Sequence, residues 1–311
     1  MIKAAISGGT TPQAREILKI LINHPDVEIV CVNAPEAEGM LLSQVHRGLR
    51  GETFMRFTSQ MPIDDIDVLF MADTEPGASM KFMATHSVPE GLKIIDLSPD
   101  FREESLNDAD SPWVYALPEL NRKPLVRGAT RASMPGPLAS AVLPALLPLA
   151  KNLLLNSTIH INAVQAEPQA EPGEPLALLE HEEDAEIRGA LGTLQASFHS
   201  EMLYVVTAGG WQNGLAATVY MESAVSVNEI EKLYEEFFSD HSFTLVADTL
   251  PTLMEVAGTN KCIIHLQKSD PWLVINVAID DKIKGAAGSA VHVMNLMFGL
   301  QERVGLMLKS H

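Results

Sequence analysis

The first half of the chain alternates strand and helix signals: IKAAIS, AREILKILINH, VEIVCVN, DVLFMAD, GASMKFMATH and LKIIDLS, closing on an apolar helical segment after Pro137. Strand-like and helix-like periods taken in turn prescribe a parallel sheet covered by helices. The second half reads differently. HINAV, MLYVVTA, LAATVYMES, FTLVAD, CIIHLQ and WLVINVAID are strand-like runs, interrupted by a helix whose start, Ser226 to Glu229, spells a capping box. This predicts a separate α+β domain. The last apolar segment, AAGSAVHVMNLMFGL, has helical spacing and leaves open which domain it packs on.

A chain of 311 residues with 46% hydrophobic and 20% charged residues has material for two domains with real cores. The N-terminal MIKAAIS lacks the apolar region of a signal peptide, and no apolar run approaches the roughly 18 residues of a membrane span, so a cytoplasmic protein is expected. The net charge of −18 disfavours nucleic acid or an anionic membrane as partner. Two cysteines, Cys31 and Cys262, are too few for a disulfide framework or structural zinc, and both read as strand core.

Three stretches carry possible chemistry. SGGTTPQA, Ser7 to Ala14, stands where a doubly wound sheet places the phosphates of a dinucleotide, with Gly8, Gly9, Thr10 and Thr11 as candidate contacts. Its glycine pattern is partial, because Thr11 and Ala14 carry side chains at the later positions. Glu36 and Glu38 follow the second strand, where a carboxylate accepts a ribose diol and repels a 2′-phosphate, which favours NAD over NADP. The second stretch, SMPGPLASAVLPALLPLA from Ser133, packs Pro135, Gly136 and Pro137 into a turn that opens a helix with Pro137 at its first position. A helix N-terminus presents free N–H groups to an anion or thiolate, yet no thiol lies in this segment. The third stretch, residues 166–186, holds eight carboxylates and no Lys or Arg and reads as a solvated loop. His181, Glu182, Glu183 and Asp184 within it have no recognised ligand spacing, so no metal is assigned.

The segments ILINHPDVEIV, KIIDLSPDFR, YALPELNR, ALLPLAKNLLLN, TNKCIIHL and KGAAGSAVHVMNLMFGL closely resemble N-acetyl-γ-glutamyl-phosphate reductase of arginine biosynthesis, within the aspartate-semialdehyde dehydrogenase superfamily. The resemblance implies a Rossmann-like doubly wound domain over 1–157, completed by 285–311, and an α+β catalytic and dimerisation domain over 158–284. The C-terminal helix then returns to the first domain. It further implies NADPH-dependent reduction of an acyl phosphate through a cysteine thioester, with NADP or NAD as cofactor, and a homo-oligomer, dimer or tetramer.

Against that family the chain departs at four places. The family's Asn-Pro-Gly-Cys turn falls on Met134, Pro135, Gly136 and Pro137, which removes the nucleophile, since proline offers no group to activate. The His-x-His-x-Pro-Glu-Ile motif, which supplies the acid/base histidine, falls on His181 to Ile187, with Glu183 in place of one histidine. A Gly-rich loop is shortened into AEPQAEPGEP. In the phosphate turn two glycines have become Thr11 and Ala14, and the hydroxyl residues after the second strand have become Ala34, Pro35 and Glu36. Ser133 and Ser140 flank the turn but need a positioned base, for which His181, His199 and His86 are the available residues. Asp96, Arg102, Glu119, Asn121 and Arg122 match the family and read as positioning and fold contacts. The expectation is a catalytically inactive homologue acting as a binding protein or as a partner in the oligomer of an active reductase. The alternatives are an NAD(P)-dependent oxidoreductase of altered chemistry, or a sensor of a nucleotide or an arginine-pathway metabolite.

Overall fold

The computed structural model describes residues 1–306 and residue 309, which form two compact units, Met1–Pro135 with Ala286–Leu306, and Gly136–Gly285. The first contains β1 (Ile2–Ser7), α1 (Pro12–Leu21), β2 (Val27–Asn33), α2 (Leu42–Val45), β3 (Val68–Met71) and α3 (Ala78–Thr85). It continues through β4 (Lys93–Asp96), α4 (Arg102–Asn107), β5 (Trp113–Tyr115), α5 (Pro118–Val126) and β6 (Arg131–Ser133). Its six strands pair in the order β2-β1-β3-β4-β6-β5, all parallel.

A strand buried on both faces reads as an unbroken apolar run, as β3 does throughout and β1 does over its buried Ala4, Ala5 and Ile6. On one face Ala4, Ile6, Phe70 and Ile95 pack with Ile17, Leu18 and Leu21 of α1. On the other, Ala5, Cys31, Leu69 and Ile94 meet Phe101 and Trp113, whose rings stack at 4.1 Å. Both cysteines are buried, as their strand contexts predict.

The second unit opens with α6 (Pro137–Lys151), a helix whose residues from Leu138 to Ala150 are all buried. A helix apolar on every side belongs in a core, and α6 packs against α7 (Asp184–Leu194), α8 (Val227–Phe238) and one face of a seven-stranded sheet. The unit therefore begins at Gly136, well before residue 157, because α6 has its apolar partners in that sheet. The strands are β7 (Ile159–Ala166), β8 (Pro175–Leu179), β9 (Met202–Gly209), β10 (Leu215–Glu222), β11 (Thr244–Val246), β12 (Cys262–Ser269) and β13 (Trp272–Ile279). Their order is β11-β12-β13-β10-β7-β9-β8. A short α9 (Leu253–Val256) precedes β12. The capping box at the start of α8 forms as its sequence predicts, with the Ser226 side chain accepting from Glu229 N and Glu229 Oε2 from Ser226 N.

The acidic stretch is more ordered than its charge suggests. Pro175–Leu179 forms β8, an edge strand paired antiparallel to β9, and Glu183 and Glu186 are buried. The apolar run PLALL supplies the strand, and backbone amides elsewhere supply partners for the two acids, so the solvated-loop expectation is corrected for the segment's second half. The last helix, α10 (Gly288–Met297), is buried along its length and packs on α1 and α5 in the first unit. His24 and Asn295 join it to the end of α1 through a 3.1 Å hydrogen bond.

Candidate functional sites in the two units

In the first unit, a pocket of about 240 Å³ lies at the C-terminal ends of β1, β2 and β3, where the strand order reverses and an open α/β sheet takes its ligands. Its lining includes Gly8, Thr10, Thr11, Glu36, Asp73 and Ser79. The two glycines are accounted for by packing. A Cβ on Gly8, whose φ is +67°, would lie 2.8 Å from Asp73 N, and one on Gly9 would lie 2.7 Å from Val32 Cγ1.

The turn also spends donors that a phosphate would use. Gly9 N donates to Asn33 O, Thr11 N donates to Gly8 O, Pro12 has no N–H, and Ala14 N donates to Thr11 Oγ1. Thr11 is thereby the N-cap of α1, a role its side chain fills where the family pattern has glycine. The remaining wall carries Glu36, whose Oε1 accepts from Thr10 Oγ1 at 2.7 Å. Glu38, the other acid of that segment, accepts from Ser59 Oγ and is not part of the lining. The residues fit the nucleoside end of a dinucleotide, with Glu36 facing a ribose, and offer its diphosphate a reduced set of amides.

Below this pocket Asp96 is fully buried. It accepts from Ser79 Oγ at 2.6 Å, Ser98 N at 3.0 Å and Ser98 Oγ at 2.8 Å. Burial outweighs these bonds and pushes its carboxyl up to about 6. The other matching residues make fold contacts. Arg102 donates to the carbonyls of Met134 and Leu97, Asn121 to that of Tyr115, and Arg122 pairs with Glu302, while Glu119 is buried. His86 is exposed at the end of α3.

In the second unit, the start of α6 is the centre of interest. Gly136, in extended conformation, is its N-cap, and Pro137 is its first residue. Glu183 Oε2 accepts from Ala139 N at 2.6 Å, and Glu186 Oε1 accepts from Gly136 N at 2.9 Å. Both acids lie at the beginning of α7, and both are more than nine-tenths buried. The fit around Gly136 is close: a Cβ there would lie 2.2 Å from Glu183 Cδ. Two carboxylates of the chain thus occupy the anion-binding end of this helix, where charge-assisted bonds to free amides are strongest.

A cleft of about 600 Å³ opens beside them, lined by Pro137, Gln165 and Val206 and by the run Glu180 to Glu183. His181 Nδ1 accepts from Glu183 N at 3.1 Å, and burial pushes its imidazole below the ordinary range. Asp184 holds Arg188 Nε at 2.7 Å and accepts from Tyr204 Oη at 2.9 Å. Ser140, in the first turn of α6, is buried, and His199 is exposed with no contact to it. Among the described residues no three His, Cys, Asp or Glu side chains are grouped to hold a metal ion. No described helix is long and apolar enough to cross a membrane.

Glu186, Asp73 and Ser79 were not singled out by sequence reasoning. Asp73 was accessible to it, since it follows β3 directly at the point where the sheet reverses. Glu186 lies inside the altered histidine motif, but nothing in its spacing says that its carboxylate reaches back to residue 136.

Comparison with known proteins places these features. Residues 3–127 match the semialdehyde dehydrogenase NAD binding domain, and residues 167–281 match the semialdehyde dehydrogenase dimerisation domain. N-acetyl-gamma-glutamyl-phosphate reductase of Parabacteroides distasonis is 42% identical, with 99% of each chain covered. The enzyme of the same name from Flavobacterium johnsoniae is 36% identical, again over 99% of each chain. Among solved structures, aspartate semialdehyde dehydrogenase II from Vibrio cholerae superimposes with a TM-score of 0.71 at 14% identity, covering 96% of this chain and 99% of that one. The aspartate semialdehyde dehydrogenase from Candida albicans, solved with NADP, gives 0.70 at 14% identity, covering 96% and 98%. These two share the fold. Full-length identity, the two matching domains and the returning α10 together make this chain a member of the N-acetyl-γ-glutamyl-phosphate reductase family of semialdehyde dehydrogenases.

Proposed function

We propose that this chain is a catalytically silent member of its family that acts through its oligomer surface, as a partner of an active reductase. The observation that carries the reading is the start of α6. Position 137, where the resemblance to the family sets the nucleophilic cysteine, is a proline, and the amides of Gly136 and Ala139 are already bonded to Glu186 and Glu183. A thioester route needs a thiolate and then donors for the oxyanion formed on attack. Proline supplies neither a nucleophile nor an N–H, and the two neighbouring amides hold carboxylates of the chain itself. One of those carboxylates, Glu183, stands in place of a histidine of the motif that supplies the family's acid/base group.

The second support is the outer face of the seven-stranded sheet. Alternate residues of its strands point away from α6, α7 and α8: His160, Asn162 and Val164 on β7, Val205 and Thr207 on β9, Ala216, Thr218 and Tyr220 on β10, and Val274 and Asn276 on β13. They form adjacent rows across four strands, all at least partly exposed and none of them charged, and the β10 row ends on the exposed Glu222 at the sheet's end. A sheet face with an uncharged centre in a protein of net charge −18 suits a protein interface, and it lies within the matched dimerisation domain apart from the β7 row.

Tagged chain co-expressed with an active N-acetyl-γ-glutamyl-phosphate reductase from the same cell tests the reading. Recovery of a mixed oligomer, whose reductase activity follows the active subunit alone, is the expected result. Separate homo-oligomers of the two chains would overturn the partner role.

A further inference from the structure

The NADP of the Candida albicans structure carries a 2′-phosphate, and the pocket of the first unit has no cationic side chain to receive one. We infer that this pocket selects NAD(H)-type over NADP(H)-type dinucleotides, with Glu36 as the specificity-determining residue and Thr10 positioning it. Three observations converge on Glu36. It follows β2, the strand whose end meets the adenosine ribose in a doubly wound fold, about 20 residues beyond the phosphate turn. Its carboxylate is fixed rather than free to swing away, because Oε1 accepts the Thr10 hydroxyl at 2.7 Å from across the pocket. The pocket lining contains a second acid, Asp73, and no Lys, Arg or His.

A ribose diol donates two hydrogen bonds, and Glu36 Oε2, which has no partner among the described residues, is available to accept one. A 2′-phosphate offers only acceptors and negative charge to the same carboxylate. Arg56 lies in a neighbouring segment but donates to Gly39 O at 2.6 Å and does not line the pocket. At the exposed position of Glu36, repulsion between unit charges about 4 Å apart amounts to about fivefold at the least, and more where water is excluded. The diphosphate gains less here than in a glycine-rich turn, since the amides of Gly9, Thr11 and Ala14 are already bonded and Pro12 has none. Discrimination therefore rests on the ribose end.

The inference does not depend on whether the chain turns over substrate. Full-length protein is titrated with NADH and, separately, with NADPH, following heat or nicotinamide fluorescence. NADH is expected to bind at least about fivefold more tightly than NADPH. Glu36→Ser should narrow that ratio to less than threefold by improving NADPH, and Glu36→Lys should reverse it. Equal or tighter NADPH binding by the unaltered chain, a ratio unmoved in both variants, or no binding of either nucleotide would each overturn it. Reduction of an acyl phosphate by the same preparations would overturn the silent-homologue reading and leave the binding ratio as an independent result.

Discussion

Removing the Glu183 carboxylate should weaken the second unit, and adding a methyl group at Gly136 should then become harmless. Glu183 is 6% exposed and bonded to Ala139 N at 2.6 Å, so Glu183→Ala forfeits a charge-assisted hydrogen bond and leaves a buried amide without that acceptor. Such losses cost about 2–4 kcal/mol, which for a unit of this size lowers Tm by roughly 4–16 °C. Gly136→Ala acts on the same contact from the other side. The backbone there, at φ −66° and ψ 161°, suits alanine, so the obstacle is the carboxylate 2.2–2.5 Å from the new Cβ. In the unaltered chain the methyl group must expel Glu183 and should cost a similar amount. In the Glu183→Ala background, the lower N-cap preference of alanine and the reduced freedom of the unfolded chain nearly cancel, leaving within about 1 kcal/mol of zero. Thermal and urea unfolding of the two single variants and the double variant form a cycle with a coupling of about 2 kcal/mol or more. Additive costs, or an unchanged Tm for Glu183→Ala, would refute the claim that this carboxylate fills the start of α6.

Three further outcomes follow from the same geometry. Pro137→Cys should remain inactive as a reductase, because the amides beside the new thiol stay bonded to Glu183 and Glu186. Activity in that single variant, measured as NADPH- or NADH-dependent reduction of an acyl phosphate, would show that proline alone silences the chain. Asp96 titrates near 6 in the folded chain, above its unfolded value of about 3.9, so the folded state binds more protons between these values. Its contribution is most favourable below pH 4 and is lost as pH rises through about 6. The stability difference between the unaltered chain and Asp96→Asn should therefore shift against the unaltered chain between pH 4 and pH 7, and a pH-independent difference would contradict it. Burial first, opposed by the Thr58 hydrogen bond, raises the Cys31 thiol, so Cys31 should resist alkylation by iodoacetamide at pH 7.5 until the chain unfolds. Rapid labelling of native protein at Cys31 would show that β2 is open.

The parallel sheet was legible because its strands are apolar on both faces, as VLFM of β3 is, and because helical periods separate them. The capping box of α8 is a local contact between residues three apart, which sequence spacing alone can specify. Longer-range facts were not legible. The partnership between Gly136 and Glu186 joins residues fifty apart and depends on how α7 meets α6. The glycines of the first turn read as phosphate contacts, yet Gly8 and Gly9 are also required by Asp73 and Val32 behind them. The charge of residues 166–186 concealed β8, because the short apolar run Pro175–Leu179 pairs its backbone with β9 despite the acids on either side of it.

On the proposed reading, a reductase scaffold persists here without its reaction. The most direct test is a turnover measurement with purified protein, N-acetyl-γ-glutamyl phosphate and either NADPH or NADH, run beside an active family member at equal subunit concentration. No cofactor oxidation above the protein-free rate, even at high protein concentration, is the predicted result. Cofactor oxidation that scales with the amount of this chain and yields the semialdehyde would contradict it.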